Sequence, residues 1–215
     1  MTSTKTRQLE RIRISLWILV AAAVLALSGV YFVRTIWVRE PSPPITVGEA
    51  AIRSDFSLID HNGNRVTEAD FLGRWQLVFF GFTYCPDVCP TTLAYLGNVL
   101  DRLGGEVEHV APIFITVDPS RDTPQVMAEY VQAFHPKLVG LTGSEAEVAA
   151  AAQSFRVYYE KMEEETAPDG YLMAHSGHIY LMTPDGRFED VFREGDQSAE
   201  EMAAHVLATM TGKQL

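Results

Sequence analysis

Cys85 and Cys89 are the only cysteines in this chain of 215 residues, and they stand within Phe82-Thr83-Tyr84-Cys85-Pro86-Asp87-Val88-Cys89-Pro90. Three intervening residues let both sulfurs face one centre. Spacing alone leaves three chemistries open, a structural disulfide, a redox pair and a metal site, because primary structure sets neither geometry nor potential. Thiolates bind zinc tightly, and two of them with an imidazole suit cuprous copper. The candidate imidazole is His175, in Ala174-His175-Ser176-Gly177-His178, read as a loop just before a strand. His178 is read as structural or as support for a ligand. His61, His109, His135 and His205 are expected to be surface or hydrogen-bonded residues, since most histidines neither ligate nor catalyse.

The elements around the cysteines favour thiolate chemistry. Trp75 to Thr83 is an apolar run suited to a strand buried on both faces, and it leads straight into the cysteine turn. A helix is predicted from about Pro90 to Leu103, with Pro90 in the first turn, where no amide hydrogen bond is needed. Helix amino termini favour anions, so at least Cys89 is expected to ionise more easily than a free thiol. Pro86 biases Cys85 towards an extended conformation outside the helix. A buried staple has no need of that setting, whereas a reactive or ligating thiolate benefits from it.

The other elements follow from local chemistry. Phe56 to Ile59, the turn His61-Asn62-Gly63-Asn64 and Val66 read as a hairpin, since Asn-Gly supplies the positive φ of a tight turn. Ala111 to Val117 is a second buried strand, Thr123-Pro124 opens a helix ending before Pro136, and Leu138 to Leu141 is a short strand. Ser144 with Glu147, and Ser198 with Glu201, have the spacing of capping boxes for two further helices. Gly177 to Met182, the turn Pro184-Asp185-Gly186 and Phe188 to Phe192 form an antiparallel hairpin. Strands alternating with helices predict a mixed α/β sheet covered on both faces.

Ahead of this domain, Ile14 to Val33 is uncharged and almost wholly apolar between Arg13 and Arg34, long enough to cross a bilayer as a helix. It exceeds the apolar core of a cleaved signal and ends in bulky Tyr31-Phe32-Val33. Four basic residues precede it and two follow closely, which predicts a cytoplasmic amino terminus. The expected organisation is a leader over 1–13, a transmembrane helix over 14–33, a proline-containing linker over 34–46 and a domain over 47–215. Trp17 and Trp37 would mark the membrane interfaces. The whole chain has a net charge of −11, and from position 41 onward 26 acidic residues face 11 basic ones. So acidic a domain argues against nucleic acid as a partner.

Three separated motifs occur together: Gly81 to Pro90, then Thr116-Val117-Asp118-Pro119-Ser120-Arg121-Asp122-Thr123-Pro124, then His175 ahead of Tyr180-Leu181 and Pro184-Asp185-Gly186. In this order they resemble the Sco/SenC family, over roughly residues 47 to 210 plus the anchor. The resemblance implies a thioredoxin-like fold, in which the His175 loop would approach the cysteine turn, and a copper site of Cys85, Cys89 and His175. It further implies delivery of copper to the dinuclear centre of cytochrome c oxidase subunit II, or reduction of that subunit's cysteines by thiol–disulfide exchange at Cys85 and Cys89. The partners implied are that acceptor, a copper donor protein or a thioredoxin-like reductant, and the membrane. The leader does not look like a mitochondrial transit peptide, so a bacterial inner membrane with the domain in the periplasm is expected.

One departure is Ala174, where the family commonly has aspartate. Asp118 matches the family pattern, and its expected role is to cap the following turn. Met173 and Met182 are read as core filler and Tyr84 as a possible shield for copper. Two further readings are weaker: a static domain stapled by its cysteines, and a peroxide-scavenging enzyme, for which no arginine is evident at Cys85.

Overall fold

The computed structural model describes residues 52–212. The leader, the 14–33 span, the linker, Trp17, Trp37 and the domain start at Val47 lie outside the described residues. Among the described residues, no helix is long and apolar enough to cross a membrane.

The domain opens with strands β1 (Ser57–Asp60) and β2 (Arg65–Thr67), paired antiparallel. Gly63 turns the chain at φ +87°, and the Asp60 carboxylate accepts the Asn62 and Asn64 amides. Strand β3 (Trp75–Gly81) is buried from Gln76 onward, as its apolar composition requires. Helix α1 (Val88–Arg102) begins two residues earlier than the expected Pro90. Pro90 is its third residue, a position that still needs no amide bond, so the earlier start costs nothing and draws Cys89 inside the helix.

Strand β4 (Val110–Thr116) pairs parallel with β3. Helix α2 (Pro124–Gln132) follows, capped by Thr123 Oγ1 accepting the Val126 amide, and leads to β5 (Val139–Thr142). Helix α3 (Glu145–Ser154) carries the capping box of Ser144 and Glu147. Next come β6 (Tyr159–Glu163) and β7 (Tyr171–His175), an antiparallel ribbon absent from the sequence expectation. β8 (His178–Met182) and β9 (Phe188–Arg193) form the expected hairpin, and α4 (Ala199–Thr211) carries the second capping box.

Seven strands make one mixed sheet in the order β2-β1-β5-β4-β3-β8-β9, while β6 and β7 form a separate two-stranded sheet. Adjacent residues of a strand point to opposite faces, and Phe79 and Phe80 show that both faces of β3 are covered. Phe79 stacks on Phe114, which meets Tyr130 of α2; Phe80 meets Phe155, just beyond α3. Helix α1 packs against α4, and its Gly97 lets the chain after α2 approach, since a methyl group there would lie 3.0 Å from the Phe134 carbonyl oxygen.

Candidate metal centre

The cysteine turn sits at the carboxyl end of β3, where parallel strands leave their loops. A buried carboxylate the sequence reading had not singled out holds this end together. Asp122 is fully buried and accepts the Thr83 amide at 3.1 Å, the Thr83 hydroxyl and the Thr116 hydroxyl, while its carbonyl accepts the Thr142 hydroxyl at 2.7 Å. The ends of β3, β4 and β5 are thereby tied to one residue. Burial raises the Asp122 carboxyl above its ordinary range despite these donors.

Beyond Thr83 the chain turns, with the Cys85 amide donating to the Phe82 carbonyl. Cys85 remains half-buried outside the helix, whereas Cys89 is fully buried. Gly81 makes room for the second sulfur: a methyl group there would lie 2.8 Å from Cys89 Sγ and 2.9 Å from the Phe114 ring. Both thiols are free in this structure.

His175 arrives on β7 as its last residue, not in a loop as read from sequence. The ribbon is mostly exposed and charged on β6, so it lacks the alternation by which a half-buried strand is recognised. The His175 Nε2 lies 3.2 Å from Cys89 Sγ, and Nδ1 lies 3.2 Å from the Ser176 carbonyl. A carbonyl can only accept, so Nδ1 carries the proton and Nε2 faces the sulfurs as a lone pair in the neutral ring. Phe82 and Phe79 meet the imidazole edge-on, at 5.8 and 6.1 Å between centroids, and set its plane.

The three ligand atoms of Cys85, Cys89 and His175 all lie within 4.8 Å of one another, the one such group among the described residues. Three atoms so placed enclose a point no more than about 2.8 Å from each, close to the ~2.0–2.3 Å of metal–nitrogen and metal–thiolate bonds. The donor set therefore fits a soft cation after a small contraction.

The charge falls on the cysteine opposite to expectation. The Cys85 thiol is held down at about 4, first by hydrogen bonding from the Cys89 thiol and also by the Asp87 and Cys89 amides. Cys89 is pushed well above the ordinary thiol range by the Cys85 sulfur and by burial. The helix amide of Cys89 points out at Cys85, so the residue outside the helix collects the anion stabilisation. Iodoacetamide should accordingly label Cys85 of the reduced, metal-free chain at a rate nearly flat from about pH 6 to 8, where an ordinary thiol gains about tenfold per unit. Labelling falls only as pH drops through the Cys85 value of about 4. A C89A variant, lacking the main donor, should regain the steep profile; an already steep profile in the parent chain would refute this division of charge.

Asp118 does more than cap its turn. Its carbonyl accepts the Arg121 and Asp122 amides, while its buried carboxylate accepts Arg121 Nε and, at 3.0 Å, the Tyr171 hydroxyl. Ala174 stands opposite Glu160 in the ribbon, whose carboxylate accepts the Tyr158 hydroxyl. Tyr84 is 45% exposed at the mouth, Met182 is core, and Met173 is partly buried. His61 accepts the Gly140 amide, His135 the Lys137 amide and His178 a bond from Arg193; His205 faces Asp190, and His109 is exposed.

The profile of the SCO1/SenC family matches residues 46–211. Protein sco1 of Schizosaccharomyces pombe is 46% identical over 166 residues, which is 76% of this chain and 62% of that protein, so the chain spans a little under two thirds of that relative's length. Copper-bound ScoI of Arabidopsis thaliana superposes with a TM-score of 0.70 at 43% identity, covering 75% of this chain and 99% of the other. Copper-bound ScoI of Bradyrhizobium japonicum superposes with a TM-score of 0.68 at 44% identity, covering 73% and 98%. The mixed sheet with its flanking helices is thus the thioredoxin-like Sco fold.

Proposed function

Because the chain belongs to the SCO1/SenC family, we propose that it holds copper on Cys85, Cys89 and His175 and passes it to the dinuclear centre of cytochrome c oxidase subunit II during oxidase assembly. The observation that carries this reading is the convergence of two thiols and an imidazole within 4.8 Å at a strand end. Two thiolates and an imidazole suit both cuprous copper and zinc, and copper is favoured because two relatives of similar sequence have structures with copper bound. A set of three donors leaves a side open, so an acceptor's ligand can bind before one of these lets go. Tyr84 and Val88, exposed beside the two cysteines, suit such an encounter. In this reading copper moves by ligand exchange and not by turnover.

In this reading the domain is held at the periplasmic face of a bacterial inner membrane by residues 14–33, with the amino terminus in the cytoplasm. The apolar length and flanking basic residues support that placement.

The division of charge between the thiols favours a second activity of the same residues, reduction of a partner disulfide. The Cys85 thiolate would attack one partner sulfur, forming a mixed disulfide and releasing the other as thiolate. Cys89, on losing its proton, would attack Cys85, freeing the reduced partner and leaving a Cys85–Cys89 disulfide. That product requires a reductant, such as a thioredoxin-like protein, to restore it.

The test is to load the reduced, purified full-length chain with cuprous copper, then add metal-free subunit II with its cysteines already reduced. One copper per chain and its movement to subunit II are expected. Failure of the reduced chain to hold copper would overturn the delivery reading, and transfer that proceeds equally well with free copper would remove the need for this protein as carrier.

A further inference from the structure

The ribbon bearing His175 shares no strand pairing with the main sheet. A two-stranded ribbon alone is marginal, so side chains must hold the imidazole against the cysteine turn. Tyr171, four residues before His175 on β7, is well placed for this. Lys161 Nζ lies 3.7 Å and Arg121 Cζ 3.8 Å from the centre of its ring. Two cations that close to one ring occupy opposite faces, since on one face they would collide and repel. The Arg121 guanidinium lies also 4.8 Å from the ring of Tyr84, the neighbour of Cys85, and 5.9 Å from that of Phe82. Arg121 Nη1 donates to the Tyr171 carbonyl at 3.4 Å, and Asp118 accepts from both Arg121 and the Tyr171 hydroxyl.

We propose that Arg121 is a positioning residue: stacked between Tyr84 of the cysteine turn and Tyr171 of the ribbon, with Lys161 closing the stack, it sets the distance of His175 from the two sulfurs. The guanidinium suits this task because it is planar, stays charged and can stack and donate at once. Its side chain and that of Asp118 are 8% and 4% exposed, so the interaction is shielded from solvent. Desolvated contacts of this kind are several times stronger than exposed ones. The inference relies on the proposed copper site only for its affinity readout.

The full-length chain and its R121L, R121K and K161Q variants are compared by two measurements. In the metal-free state, cross-relaxation between the ring protons of His175 and Phe82 reports the ligand's position. In the loaded state, competition with a cuprous chelator reports affinity. R121L should lose the ring contact and bind copper about thirtyfold more weakly, R121K should fall between it and the parent, and K161Q should weaken binding about threefold. An R121L chain that melts lower but keeps the ring contact, with affinity within about twofold of the parent, overturns the proposal. If R121L does not fold, K161Q decides, since Lys161 is exposed and its loss leaves the core intact; an unchanged ring contact and affinity there overturn it too. A parent chain that holds no copper refutes the copper site, while the ring contact still tests the positioning.

Discussion

Replacing His175 by alanine weakens cuprous copper binding by at least about a hundredfold while leaving thiol chemistry in place, because it removes one donor of three and neither sulfur. The magnitude follows from the cost of disturbing residues that only orient metal ligands, already about 10–100-fold. The side chain is held at its edge by Phe79 and Phe82 and at Nδ1 by the Ser176 carbonyl, so alanine leaves no charge unpaired and the domain should stay folded. C85S and C89S should each abolish tight binding, since one thiolate and one imidazole make a poor soft site. The set is read by chelator competition on reduced protein. Retention of parental affinity in H175A would show that the imidazole is not a ligand. The same variant separates the two readings of function: if it still reduces a partner disulfide at the parental rate, the exchange chemistry belongs to Cys85 and Cys89 alone.

Asp122→Ala should destabilise the domain by about 3 kcal/mol, whereas Asp122→Asn should cost less than about 1 kcal/mol. Alanine strands the buried Thr116 hydroxyl and the partly buried Thr83 amide and hydroxyl, and each buried orphan costs about 1–3 kcal/mol, reduced where solvent or a rotated hydroxyl can supply another partner. Asparagine can satisfy all three, its oxygen accepting from the Thr83 amide and the Thr116 hydroxyl and its amide donating to Thr83 Oγ1. It also removes the burial penalty that raises the Asp122 carboxyl. The sign of the pH dependence follows. A carboxyl whose folded value is raised binds its proton more tightly when folded, so the parent chain gains stability as pH falls through that value, and the ionised form is penalised above it. Asparagine lacks this dependence, so its stability relative to the parent should rise from acid to neutral pH. Denaturant titrations at several pH values measure both effects; a D122A loss below about 1 kcal/mol would show that Asp122 does not tie the strand ends together.

The most legible features of the primary structure were those whose cause is local. Thr123, Ser144 and Ser198 cap their helices as their spacing requires, because a capping side chain bonds an amide only three residues away. β3 and β4 were visible as apolar runs because full burial tolerates little else. The start of α1 was misplaced by two residues because proline is compatible with each position of a first turn. The β6–β7 ribbon escaped notice because an exposed, charged strand has no hydrophobic period, and Asp122 because nothing in Arg121-Asp122-Thr123 marks which polar side chain turns inward.

The amino-acid sequence by itself determined which three residues are the candidate donors, the mixed α/β character of the domain and the family to which its motifs belong. Tertiary structure alone decided that His175 meets Cys89 across 86 positions, that Cys85 and not Cys89 bears the charge, and that Arg121 joins the two halves of the site. The reason is physical: residue type sets what an atom can bind, but ionisation and ligation depend on burial and distance, and those arise only when segments far apart in the chain are brought to one strand end.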